Sequence, residues 1–561
     1  MLKKSYKCVI LSDFNHENIS RLLMNHTGLP SLEILDVPFG QIFQSLIDEE
    51  SRMITMEPDI AIVWSRPESV IKMFNNVLNF RDVEIKDLLN EVDEYASLIC
   101  RLKNKVKYVF VPTWVIPSYN RGLGMMDMRS GIGIENTLMR MNLRLSESLE
   151  EESNIFILNT RRWIELTGKK AFNSKLWYLG KVPFSNEVFC HAIEDIKSAI
   201  RGVYGEAKKL IILDLDDTLW GGIVGDIGWE NIRLGGHDHI GEAFIDFQSA
   251  LKSFLNRGIL LGIVSKNEES VALEAIAKHP EMVLGLEDFV GWRINWNDKA
   301  QNIADLISEL NLGPQSVVFI DDSQVERARV QEALPEVYVP DWPVEKMHYT
   351  STLLSLDCFD KPSKSIEDSQ RTRMYKKEKK RQDLLINVKS LNEWLVNLKI
   401  KVDIEELNDI NIQRVSQLLN KTNQMNLRTR RLSEKELLSW SHQDNCEVWT
   451  FRVSDKFGDS GLTGITSLRF ENNASIIEDF ILSCRVFGRK IENVMVNTII
   501  KKSREKNMKI IKATYLPTKK NKPCFDFWLS SGFEYIEAQN LFKWNVINEY
   551  PLPNQIEIRG I

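Results

Sequence analysis

The stretch that most constrains this chain reads Leu210-Ile-Ile-Leu-Asp214-Leu-Asp216-Asp217-Thr218-Leu219, an apolar run that ends in alternating carboxylates. Four consecutive apolar residues of high β-propensity predict a strand buried on both faces, the pattern of a parallel sheet covered by helices. Open α/β sheets place ligands beyond the carboxyl ends of such strands. Residues i and i+2 of a strand point to the same side, so Asp214 and Asp216 are expected to converge on one ligand. Carboxylates that close repel each other unless a cation or a shared proton lies between them. An Asp nucleophile beside an Asp acid/base, with Mg²⁺, is one way to move a phosphoryl group through an aspartyl-phosphate.

Three further segments complete a set. The run Gly258-Ile-Leu-Leu-Gly-Ile-Val264 predicts a second strand, which ends at Ser265-Lys266-Asn267, where a hydroxyl and a backbone N–H suit phosphate oxygens. Lys299 follows in Arg293-Ile-Asn-Trp-Asn-Asp-Lys299, a fixed positive charge for a phosphate dianion. A third strand, Ser316-Val-Val-Phe-Ile320, delivers Asp321-Asp322, hard oxygen ligands for Mg²⁺. Taken singly, these are solvated strand ends, a helix cap and a surface lysine. In this order, with apolar strands before three of the four, they resemble motifs I to IV of the haloacid dehalogenase (HAD) phosphohydrolase superfamily. That resemblance implies Asp214 as nucleophile and Asp216 as acid/base. It implies Thr218, Ser265 and Lys299 on the phosphoryl oxygens. It also implies Mg²⁺ held by Asp214, Asp216 (through its backbone carbonyl) and Asp321, with Asp322 sharing or taking over the last position.

Residues around these motifs narrow the resemblance. Trp220-Gly221-Gly222, His279-Pro-Glu-Met282, Asn295-Trp296, Asp321-Asp-Ser-Gln-Val-Glu326-Arg327, Asn420-Lys-Thr-Asn423-Gln424-Met-Asn426 and Ser483-Cys484-Arg485-Val-Phe-Gly488-Arg489 together resemble the FkbH-like subfamily of HAD proteins. The resemblance runs from about residue 205 into the C-terminal region, and the N-terminal third fits the family's long form. It implies acyl activation: a glyceryl unit is taken from 1,3-bisphosphoglycerate, phosphate is removed, and the unit is placed as a thioester on an acyl carrier protein. The setting it implies is polyketide, other secondary-metabolite or polysaccharide biosynthesis. The alternatives are a stand-alone phosphatase of a small phosphorylated metabolite and a non-catalytic assembly-line scaffold. The intact four-motif set argues against the scaffold.

At 561 residues the chain exceeds one hydrophobic core. The expected architecture is α/β and multidomain: an SGNH-like α/β domain over residues 1–203, a HAD-type Rossmannoid parallel sheet over 204–345, a charged helical linker over 346–390, and a GNAT-like α+β domain over 391–561. A net charge of −6 carries no nucleic-acid footprint. The basic run Arg371–Arg381 is read as a solvated helical linker. Seven scattered cysteines without a C-x-x-C pair speak against a disulfide scaffold and a zinc site. With no leader and no apolar run of membrane length, a reducing cytoplasm is expected.

In the N-terminal region, strands at Lys7–Leu11, Ile60–Trp64, Tyr108–Val111 and Asn154–Leu158 alternate with helical stretches at Val83–Lys103 and Asn136–Glu151, which predicts a parallel sheet. The pattern resembles an SGNH hydrolase, but Phe14 falls where the nucleophilic serine belongs and no Asp-x-x-His closes the domain. A binding or docking role is expected instead. The C-terminal order of strands and helices resembles a GNAT-type N-acyltransferase. In that family Arg/Gln-x-x-Gly-x-Gly/Ala opens a helix and binds coenzyme A pyrophosphate, with Arg485 and Gly488 in place here. Lys490 replaces the last small residue and crowds a pyrophosphate, so the phosphopantetheine arm of a carrier suits the loop better than acetyl-CoA. For acyl transfer through an enzyme thiol, Cys484 is the first candidate, beside Arg485 and ahead of a helix, where thiolates are stabilised. Cys524 is the second.

Overall fold

The computed structural model describes residues 5–48, 56–236, 238–362, 371–386, 390–422, 424–518 and 520–560. The linker segments 363–370 and 387–389, and Asn423 of the quoted motif, lie outside the described residues. Two compact units divide the chain, residues 1–203 with 360–362, and residues 204–359 with 363–561.

The first unit is built on a five-stranded, all-parallel sheet. Its strands are β1 (Ser5–Ser12), β2 (Ser31–Leu35), β3 (Ile60–Trp64), β4 (Tyr108–Pro112) and β5 (Ile155–Leu158), in the order β2-β1-β3-β4-β5. All five residues of β3 are buried, as a strand covered on both faces requires. The sequence reading omitted β2, whose short run Ser-Leu-Glu-Ile-Leu sits at the sheet edge with only Leu32 buried. Phe14 is a core residue, packed edge-on against Trp64 at 5.6 Å and Phe184 at 6.0 Å between ring centroids. The position expected for a nucleophile is therefore filled by an aromatic cluster.

In the second unit, the strands β6 (Leu210–Leu213), β7 (Leu260–Ser265), β8 (Phe289–Ile294) and β9 (Val317–Ile320) form a parallel sheet in the order β8-β7-β6-β9. The strand before Lys299, β8, was not anticipated because Trp292 and Arg293 break its apolar run. The helix expected over Asp246–Arg257 starts at His239, because the Asp238 carboxylate caps it by accepting from the N–H groups of Ile240 and Gly241. Between motif I and that helix lie only the short turns Val224–Ile227 and Trp229–Asn231, so the insertion over the strand ends is small. Tyr349, Leu353 and Phe359, read as part of the linker, pack into the same core as Phe244, Phe247 and Trp342.

The C-terminal part carries a nine-stranded mixed sheet: β10 (Lys401–Glu406), β11 (Met425–Asn426), β12 (Cys446–Asp455), β13 (Gly458–Glu471), β14 (Ala474–Leu482), β15 (Ile510–Thr514), β16 (Glu534–Ile536), β17 (Leu541–Asn545) and β18 (Glu557–Arg559). Its order is β16-β17-β15-β14-β13-β12-β10-β18, with β11 on β14. The pairs β14–β15 and β10–β18 are parallel and the rest antiparallel. The helix Ile491–Glu505 bridges β14 to β15 as a crossover, the connection a parallel pair needs. This is the GNAT-like α+β layout expected from the element order.

The basic stretch is helical over Arg371–Ile386, but it is not solvated throughout. Arg381 is buried and forks onto Asp455, with Nε at 2.6 Å and Nη2 at 2.9 Å, and Lys376 donates to the Leu286 carbonyl at 3.0 Å. The helix thus bonds both the turn that leads into β8 and the strand β12 of the nine-stranded sheet. Among the described residues, no helix is long and apolar enough to cross a membrane.

Candidate active site

The parallel register of β6 and β9 sets Leu213 level with Ile320, and the Asp214 N–H donates to the Ile320 carbonyl at 3.0 Å. Asp214 therefore leaves its strand level with Asp321. Lys299 opens the helix Lys299–Glu309 after β8, and its buried Nζ lies 2.9 Å from Asp214 Oδ2 and 2.7 Å from Asp321 Oδ2. Burial works to lower the Lys299 pKa, but Asp214 and Asp321 outweigh it and hold the ammonium charged. Burial and the neighbouring Asp214 push Asp321 up to about 7, against the pull of Lys299. Burial also raises Asp322.

Three carboxylates, those of Asp214, Asp321 and Asp322, bring one oxygen each within 4.8 Å of one another. Asp214 Oδ1 is buried and has no hydrogen-bond partner among the described residues. A buried carboxylate oxygen without a donor is costly, and here its carboxylate is grouped with two further acids whose pKa values are raised. That donor set, oxygen only and rich in charge, fits Mg²⁺. The residues that would hold it are Asp214, Asp321 and Asp322.

The Asp216 carboxylate does not join this cluster, contrary to the side-by-side placement expected from strand alternation. The strand ends at Leu213, and Asp217 turns the chain with a left-handed φ of 53°, a conformation an aspartate tolerates. Asp216 Oδ1 instead accepts from Trp220 Nε1 at 2.9 Å and the Val224 N–H at 3.1 Å, while Oδ2 accepts from Asn267 Nδ2 at 2.8 Å. Burial is the largest influence on this carboxyl and raises its pKa despite these donors. Any part Asp216 takes in metal binding falls to its backbone carbonyl.

Thr218, expected on the phosphate, is committed elsewhere: its hydroxyl accepts from the Asp322 N–H at 3.2 Å and so holds that acid in place. Ser265 is buried at the carboxyl end of β7, the neighbour of β6. Two residues without an assigned role join the site. Asn267 holds Asp216 from 51 positions away. Lys346 donates to the Asp217 carbonyl at 2.6 Å and stands 3.7 Å from Asp322 Oδ2. Asn267 was visible as the neighbour of Ser265, but nothing local pairs it with Asp216. Lys346 lies in the segment read as linker and had no signal at all.

The loop around Arg485 is closed on itself. The Gly488 N–H, at a left-handed φ of 75°, donates to Glu492 Oε1 at 3.0 Å. Arg485 Nε donates to Ser483 Oγ at 3.1 Å, and Arg489, almost wholly buried, sits 3.3 Å from Asp455 Oδ2. Cys484 falls in the single turn Cys484–Val486, and the next helix begins only at Ile491, so no helix N-terminus adjoins it directly. Its side chain lies outside the described residues. Cys524 is fully buried and its thiol is pushed up to about 12, which removes it as a reactive candidate.

Residues 24–200 match the family model of the FkbH N-terminal domain. The chain is similar to the crystal structure of the N-terminal part of BF1531 from Bacteroides fragilis, which contains a phosphatase domain complexed with Mg. The identity is 28% and the TM-score 0.57, covering 64% of this chain and 95% of that one. A GNAT-family acetyltransferase from Staphylococcus aureus aligns over 26% of this chain and 99% of its own, at 14% identity and a TM-score of 0.21. No curated protein matches. The first unit thus matches the FkbH N-terminal domain, and over 64% of its length the chain is similar to a structure that contains a Mg-bound phosphatase domain.

Proposed function

We propose that this protein is a Mg²⁺-dependent HAD-type enzyme that removes phosphate from a substrate derived from 1,3-bisphosphoglycerate and loads the glyceryl unit, or a related acyl unit, onto an acyl carrier protein. The observation that carries the phosphatase half is the Asp214 carboxylate, clustered with Asp321 and Asp322 beside the Lys299 ammonium, with its buried Oδ1 lacking a donor among the described residues. When bound, Mg²⁺ neutralises charge on the phosphoryl oxygens and keeps the acids ionised.

The residues divide the work as follows. Lys299 and Ser265 hold phosphoryl oxygens, and Thr218 keeps Asp322 in place. Asp214 attacks phosphorus as the ester P–O bond breaks, and Asp216 gives its proton to the departing oxygen. Burial raises the Asp216 carboxyl above its ordinary value, the direction that suits a general acid. Asp216 then takes a proton from the water that attacks the aspartyl-phosphate, and phosphate leaves. The phosphoester at C3 is the bond to hydrolyse, because the C1 acyl phosphate must survive to drive thioester formation. The carrier thiolate, or an enzyme thiolate before it, attacks the C1 carbonyl and displaces the second phosphate. Arg485 and Gly488 belong to the segment proposed to receive the pantetheine arm, and Cys484 is the thiol proposed for relay.

The test is to incubate the protein with 1,3-bisphosphoglycerate and a holo carrier protein and to weigh the carrier. A mass gain of one glyceryl unit is expected. Phosphate release without a mass gain would leave a plain phosphatase. In Cys484→Ala, phosphate release is expected to persist while loading is lost; loading at the wild-type level would make transfer direct or assign it to another residue.

A further inference from the structure

The N-terminal unit presents a second surface that the phosphoryl chemistry does not use. The segment after β4 exposes Met125, which is 98% accessible, with Met128 and Ile132, and the helix Ile134–Leu149 adds Met139 and Leu143, the latter 62% accessible. Large apolar side chains gathered on a surface mark a place of contact. Met139 and Leu143 are four positions apart and so share one helical stripe.

The segment is pinned to that helix. Asp127 Oδ1 accepts from the Leu123 and Ile134 N–H groups at 3.2 and 2.9 Å, which ties both ends of the loop to one carboxylate. Asn136 Nδ2 donates to the Met128 carbonyl at 3.1 Å, and Arg140 Nη2 to Ser130 Oγ at 2.7 Å. The exposed methionines therefore stand on a held scaffold beside the Met139–Leu143 stripe. A surface ordered in advance loses little entropy on docking.

The charge around this surface is one-sided. Arg140 bonds the neutral groups of Asn136 and Ser130, and neither Arg121 nor Arg129 has a carboxylate partner among the described residues. The nearby acids are engaged, Asp127 with backbone N–H groups and Glu135 with Arg161 at 2.9 Å. Methionine and arginine are enriched at protein–protein interfaces, and lysine is depleted. Membrane-surface helices carry tryptophan, phenylalanine and leucine on their apolar face, whereas the apolar side chains here are chiefly methionine. Methionine also adapts its shape to a partner's side chains.

We propose that this methionine and arginine face docks an acidic helix of the acyl carrier protein, with apolar side chains of that helix against Met125, Met128 and Leu143 and its carboxylates on Arg121 and Arg129. That the partner is the carrier rests on the function proposed above; the shape and charge of the face do not. The test uses the full chain, a fluorescently labelled holo carrier protein, and the double variant Met125→Glu/Met128→Glu. These side chains are exposed, so an unchanged thermal melt is expected. Carrier binding should weaken about tenfold or more, with phosphate release from p-nitrophenyl phosphate unchanged. A second variant, Arg121→Glu/Arg129→Glu, should slow association and flatten its salt dependence.

Loss of binding in both variants supports the docking face, even if the wild-type carrier gains no mass, a result that would overturn loading alone. Wild-type protein that fails to bind the carrier overturns the docking proposal, as do variants that bind like wild type. So does a wild type that binds phosphatidylglycerol vesicles through these residues, or forms a dimer through them, while carrier binding is untouched by the substitutions.

Discussion

Two clusters of buried charge in the second unit make opposite use of the same residue types. Around Asp214, three carboxylates meet two ammoniums, Lys299 and, 3.7 Å from Asp322, Lys346, and one carboxylate oxygen has no donor among the described residues. Around Asp455, two arginines converge on one carboxylate, Arg381 at 2.6 Å and Arg489 at 3.3 Å, and the Gly488 N–H nearby in sequence is satisfied by Glu492. The first cluster is short of positive charge and open to a cation. The second is closed by its own side chains and joins the basic helix to the GNAT-like sheet. Buried charge is costly unless paired, so an unfinished set points to a missing ligand and a finished one to structure.

Four substitutions sharpen or break that contrast. Asp214→Asn should lower phosphate release more than about a thousandfold, the scale expected when a nucleophile is removed. The fold should be kept, with a melting temperature at or above wild type, because one of three repelling acids is gone. Retained turnover in a phosphate-release assay would overturn the assignment of the nucleophile. Asp455→Ala should do the reverse. It leaves Arg381 and Arg489 buried without their carboxylate and is expected to cost about 3–5 kcal/mol of stability, measured by denaturant unfolding, while phosphate release below the transition is retained.

Asn267→Ala probes the acid rather than the metal cluster. Asn267 donates to the Asp216 carboxylate and so favours its charged form. Without that donor the already raised pKa rises further, and the alkaline limb of the pH–rate profile should move to higher pH, with a fall in rate of about tenfold to a hundredfold. An unmoved limb would separate Asp216 from the rate-limiting proton transfer.

The smallest effect is expected at Glu492→Gln. Burial is the main reason the Glu492 pKa is raised, with the Gly488 N–H and Arg489 acting in the opposite direction. A carboxyl whose folded pKa lies above its unfolded value favours folding below the unfolded pKa, and that contribution is lost as pH rises through the folded pKa. Glutamine keeps an acceptor for the Gly488 N–H without a charge to ionise. The variant should therefore gain about 1 kcal/mol over wild type near neutral pH, and the gain should vanish toward acid. A pH-independent difference in melting temperature would show that Glu492 stays ionised in the loop.

The sequence alone determined the strands that end at Asp214, Ser265 and Asp321, because an unbroken apolar run followed by polar residues is a local pattern. It also determined the alternating architecture of the N-terminal unit and the α+β class of the C-terminal region, but not the strands β11, β16, β17 and β18. Only tertiary structure decided which acids meet. Strand alternation pairs Asp214 with Asp216, but the chain leaves the strand at Leu213, and the register of β6 with β9 brings Asp321 level with Asp214 instead. The Asn267 donor to Asp216 and the placement of Lys346 come from segments far away in the chain, and the basic run around Arg381 acquires its role from a single carboxylate on β12. Periodicity reports which face of an element is buried. Which charges are buried together depends on sheet register and on long-range packing, and neither leaves a mark in any short window of sequence.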